Sequence, residues 1–195
     1  MFAGCQFSLY PMTDRFVEVI LEAVADLRDR QGLRVETDDL STLVVGPPEQ
    51  IFQAVEGCFC RAARGAGHVV LTATFSRGCP GEPDDPICEP AAPNPAAEAA
   101  VTPATVAPAG IPVAAQFALY PLGIPHYMNV IYDEIEATKQ DGLFSRPKHF
   151  CTRLDGDARQ VFAALQAAFD RAARHAGHVV ITATISKGSP TPLGQ

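Results

Sequence analysis

A chain of 195 residues, 47% of them hydrophobic, has the apolar material for two small cores, and its net charge of −7 argues against nucleic acid as the main partner. No run approaches the roughly 18 apolar residues of a membrane span, and the first residues lack the basic and long apolar regions of a secretory signal. The expectation is a soluble cytoplasmic protein with no membrane insertion.

The first element in the chain is a strand over about Cys5 to Tyr10, ended by Pro11, which fixes φ and removes a donor. Thr13 or Asp14 can cap the helix that follows. Its apolar positions are Phe16, Val17, Ile20, Leu21, Val24 and Leu27, and Gly32 is its natural stop. Leu33 to Asp38 and Leu40 to Val45 read as two strands meeting at Asp38-Asp39. Glu49 to Ala66 is a second helix, with Ile51, Phe52, Val55, Phe59 and Ala62/Ala63 as its core face and Gly67 as its cap. His68 to Ser76 is a Val- and Thr-rich last strand.

The same order then returns. Gln6-Phe7-Ser8-Leu9-Tyr10-Pro11 reappears as Gln116-Phe117-Ala118-Leu119-Tyr120-Pro121, and Ala66-Gly67-His68-Val69-Val70 as Ala176-Gly177-His178-Val179-Val180. The offset is 110 residues at both ends, and 28 of the 76 positions from 5 to 80 match their counterparts. This is an internal duplication. The second copy predicts a strand at 114–120, helices at 125–141 and 157–176, and strands at about 144–149, 150–155 and 178–186.

Each copy therefore reads β-α-β-β-α-β, a ferredoxin-like α+β sandwich with an antiparallel sheet of order 4-1-3-2 and two helices on one face. The division is repeat one over 1–80, a Pro/Ala-rich acidic linker over 81–113, and repeat two over 114–195. Gly81 to Ala114 holds eight prolines, five acidic residues and no basic one, which predicts an extended, partly disordered tether.

Alternation places Phe7 and Leu9 against the helices and Gln6, Ser8 and Tyr10 on the opposite face. The last strand adds His68, Val70, Thr72, Thr74 and Ser76 to that second face, and repeat two keeps Gln116, Tyr120, Thr182, Thr184 and Ser186 there. A sheet face so free of Lys and Glu is expected to be covered, by the other repeat or by a second subunit. The pattern is equally that of a ligand pocket and of a plain interface.

Phe7 to Asp14, Thr37-Asp38 with Ser41-Thr42, and Thr74-Phe75-Ser76 with Gly78-Cys79-Pro80-Gly81 resemble the YkoF family. So do Gln116 to Pro121, Tyr127-Met128 and Leu154-Asp155-Gly156-Asp157-Ala158. The resemblance implies a non-enzymatic cytoplasmic homodimer that binds thiamine or its hydroxymethylpyrimidine (HMP) moiety. It also implies one site per repeat, the two not necessarily equal, and a link to uptake of the thiamine precursor through a transporter.

The residues it assigns to the ligand are Leu9 with Thr42, and Leu119 with Thr152. Around them Ser8, Asp38, Tyr10 and Tyr120 suit an aminopyrimidine edge and a ring or cation to stack on. The replacement of Thr37-Asp38 by Pro147-Lys148, Ser41 by Cys151 and Ser8 by Ala118 makes repeat one the expected tighter site.

Other chemistry finds less support. His175 and His178 have a metal-like spacing but no acidic or thiol neighbours, and no CxxC pair occurs, so no metal, cofactor or catalytic residue is assigned. His149 and Cys151 fall on one face of a predicted strand but lack an orienting third group. Cys5 and Cys79 are expected near each other, as free thiols. The alternatives are an ACT-like metabolite-sensing module and, with less support, a ferredoxin-like enzyme acting on a small heterocycle.

Overall fold

The computed structural model describes residues 3–78 and 102–191. β1 (Ala3–Pro11) buries Cys5, Phe7 and Leu9 and turns Gln6 and Tyr10 outward, as strand alternation requires. α1 (Phe16–Val24), β2 (Arg34–Thr37), β3 (Thr42–Gly46), α2 (Pro48–Gly65) and β4 (Val69–Arg77) complete repeat one. Repeat two follows with β5 (Pro112–Leu122), α3 (Tyr127–Gln140), β6 (Phe144–Lys148), β7 (Cys151–Asp157), α4 (Ala158–Ala172) and β8 (His178–Lys187).

Within each repeat the strand order is the expected one, with β1 between β4 and β3 and β5 between β8 and β7. The two sheets are joined. β4 pairs antiparallel with β8 over nine residues, giving a single eight-stranded sheet of order β2-β3-β1-β4-β8-β5-β7-β6. In that register Ala73 lies opposite Ala183, its own counterpart 110 residues on. A pseudo-twofold axis therefore passes between these two residues.

The helices obey the same axis. α2 packs on α4 over the centre of the sheet, and Phe52 meets Phe169 edge to face at 5.6 Å while Phe59 meets Phe162 at 6.0 Å. Phe162 and Phe169 are the counterparts of Phe52 and Phe59, so the two contacts are one contact written twice. Phe52 also stacks on Phe75 at 4.1 Å. Arg159 reaches Glu56 across the axis at 3.0 Å, and Lys187 donates to the Ala66 carbonyl at 2.8 Å where α2 ends. His68 approaches Ser186 on the neighbouring strand, Nε2 to Oγ 3.4 Å. One core serves both repeats, and no described helix is long and apolar enough to cross a membrane.

Three expectations need correction. The open face of the sheet is not covered by the other repeat, because the repeats lie side by side with their helices on the same side. Of the stripe expected to be the core face of α1 and the turn after it, Leu27 is buried and Ile20 and Val24 pack partly buried against the core, but Phe16, Val17 and Leu21 are exposed and Val19 and Ala23 are buried instead. Phe16, Ile20 and Val24 border a cavity beside the sheet.

The end of the Pro/Ala-rich stretch, 102–111, packs on repeat two: Pro103 and Ile111 are buried, and Asp157 accepts from the amides of Ala109 and Ile111 as well as capping α4. His149 and Phe150 form the turn between β6 and β7, so His149 does not share a strand face with Cys151. Cys79, the expected neighbour of Cys5, lies outside the described residues.

Candidate functional site

Strand pairing between β1 and β3 stops at Phe7–Thr42, and that between β5 and β7 stops at Phe117–Thr152. Beyond those pairs the hairpins splay away, and the outer helix of each repeat does not close the gap. The result is a pocket in each repeat, bounded by the far end of the first strand, the start of the third and the outer helix. In repeat one it measures about 440 Å³ and in repeat two about 1110 Å³.

The eight residues assigned to the ligand in the sequence border these two pockets, whereas Gln6, Thr72, Thr74, Gln116, Thr182 and Thr184 border a separate groove on the open face. Ser8, Leu9, Tyr10, Asp38 and Thr42 border the first, and Leu119, Tyr120 and Thr152 the second. Thr42 and Thr152 are both 6% exposed, on the helix side of the sheet with Leu9 and Leu119. Tyr10 and Tyr120 are about half exposed and also border a groove of about 570 Å³ on the open face. That groove runs over the pseudo-twofold axis between the hairpin tips Leu40 and Phe150, which are 78% and 98% exposed.

Repeat one has a hydrogen-bonded turn. Asp38 Oδ1 accepts from the amides of Leu40 and Ser41, both at 2.8 Å, closing an Asx-type turn. Gln6 donates to Ser41 Oγ at 2.9 Å, Ser8 to the Leu40 carbonyl at 2.8 Å, and the hydroxyls of Thr37 and Thr42 lie 3.1 Å apart. The Asp38 carboxyl is thus spent largely on its own backbone, not aimed as a free acceptor into the pocket.

Those backbone donors hold its pKa below the ordinary carboxylate value. A lowered folded pKa gives stability that is present above the unfolded value and lost as pH falls through the folded one. Asp38→Asn should therefore leave the turn formed at neutral pH but remove its acid sensitivity, whereas Asp38→Ala should speed amide exchange at Leu40 and Ser41. Unchanged exchange in the alanine variant would show that the turn does not depend on this side chain.

Repeat two is built differently at the same place. Pro147 has no hydroxyl to offer Thr152, Lys148 Nζ donates to Gln116 Oε1, and Phe150 holds the left-handed φ of +68° at the tip. Sequence reasoning missed the outer-helix side chains that wall both pockets: Phe16, Ile20 and Val24 in one, Tyr127, Ile131 and Tyr132 in the other. The available signal was the width of the α1 stripe, which is broader than one sheet contact can bury.

Among the described residues three cysteines, Cys5, Cys58 and Cys60, are buried. Burial pushes the Cys58 and Cys60 thiols up to about 11 and Cys5 higher than its ordinary value, which suppresses the thiolate. No group of three or more His, Cys, Asp or Glu side chains there could hold a metal.

The sequence model of the YKOF-related family matches this chain twice, over residues 2–82 and 112–192. The chain belongs to the YKOF-related family. Both family matches span a β-α-β-β-α-β unit and its pocket. The chain is also 36% identical, over 198 aligned positions, to a Bacillus subtilis (strain 168) protein provisionally named as the HMP/thiamine-binding protein YkoF. That alignment covers 97% of this chain and 92% of the relative.

Proposed function

We propose that this protein binds thiamine or its HMP moiety, one molecule in each lateral pocket, and does not transform it. The observation that carries the reading is the paired, pseudo-symmetric cavity at the end of each first strand. There the main chain beyond Phe7 and Phe117 has no third-strand partner, and a buried threonine hydroxyl stands beside it. An aminopyrimidine edge carries ring acceptors and an exocyclic amine donor. Main-chain groups near Leu9 or Leu119 and the hydroxyl of Thr42 or Thr152 meet that edge, while the outer helix gives the ring an apolar wall. Tyr10 and Tyr120 stand where a ring or thiazolium would stack. The relative's name supports the ligand class.

Calorimetric titration with thiamine, HMP and thiamine diphosphate tests the reading. Two classes of site are expected. Thr42→Val and Thr152→Val should each weaken one of them by up to about tenfold, the worth of one well-made hydrogen bond. Absence of heat with all three ligands would sink the proposal, and turnover of the bound ligand would make the protein an enzyme.

The same proposal includes a homodimer, with a second copy covering the open face, a cytoplasmic location and a functional link to precursor uptake. The uncharged Thr72, Thr74, Thr182 and Thr184 floor, with exposed Leu40, Phe150, Tyr10 and Tyr120 around it, supports that interface. Light scattering should give the mass of two chains for the parent and of one for Thr74→Lys/Thr184→Lys. A parent mass of one chain would remove the dimer from the proposal.

A further inference from the structure

The two lateral pockets occupy equivalent positions yet present opposite charge. The ionisable side chains bordering the repeat-one pocket are Asp38 and Asp39, with no basic one, leaving aside its tyrosine. Those bordering the repeat-two pocket, tyrosines again aside, are Glu136, Lys139 and Lys148, plus the thiol of Cys151. Counting full charges gives −2 against +1, a difference of three on otherwise matched frames.

The positive charges are not equivalent to each other. Lys139 is paired with Glu136 at 2.6 Å and lies 5.2 Å over the Phe144 ring, so its charge is largely answered. Lys148 borders the pocket but reaches Gln116 Oε1, a neutral amide on the open-face side, so it meets an anion in the pocket by turning from that amide, which leaves no carboxylate unpaired. It stands where repeat one has Asp38. Size points the same way: the repeat-two cavity is about 1110 Å³ against about 440 Å³ and adds Tyr127, Tyr132 and Phe144 to its wall.

We infer that the two pockets divide one ligand class by charge: repeat one takes the cationic, unesterified form, and repeat two takes a phosphate ester of the same kind of flat heteroaromatic molecule. The inference rests on the binding reading above and assigns a chemical form to each of its sites. A phosphate monoester adds about two negative charges near neutral pH. Three charges of difference at several ångströms in a solvent-screened mouth are worth about tenfold in affinity or more.

The chain contains no tryptophan, so one introduced residue reports on one pocket. Phe16 and Tyr127 are both about half exposed and border only the repeat-one and repeat-two pockets respectively, which suits Phe16→Trp and Tyr127→Trp as reporters. Each is titrated with thiamine and with thiamine monophosphate in the full chain.

The expected result is that the monophosphate binds about tenfold more tightly than thiamine at the Tyr127→Trp reporter, with the order reversed at Phe16→Trp. Lys148→Glu should abolish the preference at the first reporter while leaving thiamine binding at Phe16→Trp unchanged, which also shows that the variant is folded. Thiamine responses at both reporters with no gain from the phosphate at Tyr127→Trp, or a gain that survives Lys148→Glu, would overturn the division by charge alone. Silence of both reporters to both ligands would overturn it together with the binding reading.

Discussion

Alanine at position 78 is expected to destabilise the protein by about 3 kcal/mol or more, and alanine at position 188 by a similar amount. Both glycines end the strands that join the repeats and hold φ of +71° and +73°. A Cβ at Gly78 would lie 2.0 Å from the Gly177 carbonyl oxygen, and one at Gly188 would lie 2.0 Å from that of Gly67. These are backbone atoms of the opposite repeat, which cannot rotate out of the way. Gly123 separates the two causes: its φ is +76°, but nothing lies within 4 Å of an added Cβ. Gly123→Ala should thus cost only the left-handed conformational term, about 1 kcal/mol. Urea denaturation of the three variants measures the contrast. Equal losses at 78 and 123 would mean that the carbonyl contact is relieved cheaply and the seam is softer than its geometry indicates.

Glu134→Ala should cost about 3 kcal/mol, because it leaves Arg171 without the carboxylate it holds in a fork. Arg171 donates to Glu134 through Nε and Nη2, the shortest contact being 2.6 Å, and the Glu134 side chain is only 5% exposed. Burial nevertheless raises the Glu134 pKa, the attraction of Arg171 only partly offsetting it. The sign follows: with a folded pKa above the unfolded value of about 4.3, the contribution of this group is fully present below that value. It is lost as pH rises through the raised folded pKa. Glu134→Gln should accordingly lose less than Glu134→Ala, and its stability relative to the parent should improve from about pH 4 to pH 7. Denaturant midpoints across that range give the slope; a variant that falls further behind as pH rises would show that Arg171 dominates over burial.

Much of each repeat was legible in the sequence because its physics is local. Phe7 and Leu9 alternate with Gln6, Ser8 and Tyr10, and Ile51, Phe52, Val55 and Phe59 recur at helical spacing, so their faces follow from chain geometry. The union of the sheets is not local, but it left a trace. Val69 to Ser76 is an edge strand by the 4-1-3-2 order, yet it carries no Lys, Pro or bulge to protect that edge. An unguarded edge repeated in two copies of one chain is an edge that pairs. The pockets were half legible. The family resemblance named Thr42 and Leu9 and strand order made them neighbours, but the cavity beside them depends on Val19 and Ala23 taking the buried positions of α1 while Phe16 stays exposed. Small side chains permit closer approach to α2, and that preference appears only when the two helices are seen together. The supposed His149–Cys151 face failed for a different reason: a phenylalanine at positive φ is too rare to be read from sequence.

The register that sets Ala73 against Ala183 also bears on how the two copies can diverge. Along the seam Ala73 meets its own counterpart and the pairs on either side of it, such as Thr72 with Thr184 and Thr74 with Thr182, are the same contact made twice with the copies exchanging roles, so a change in one copy is felt by residues that are themselves shared. The runs Arg61 to Arg64 and Ala66 to Val70, with Thr72 to Thr74, remain identical between the copies, and they lie on or beside that seam. Thr37-Asp38 and Pro147-Lys148 stand on the outer flanks, where no copy looks at its twin. A gene duplication fused in this way fixes its middle and releases its margins, so that new ligand preferences can be acquired at one rim while the other continues unchanged.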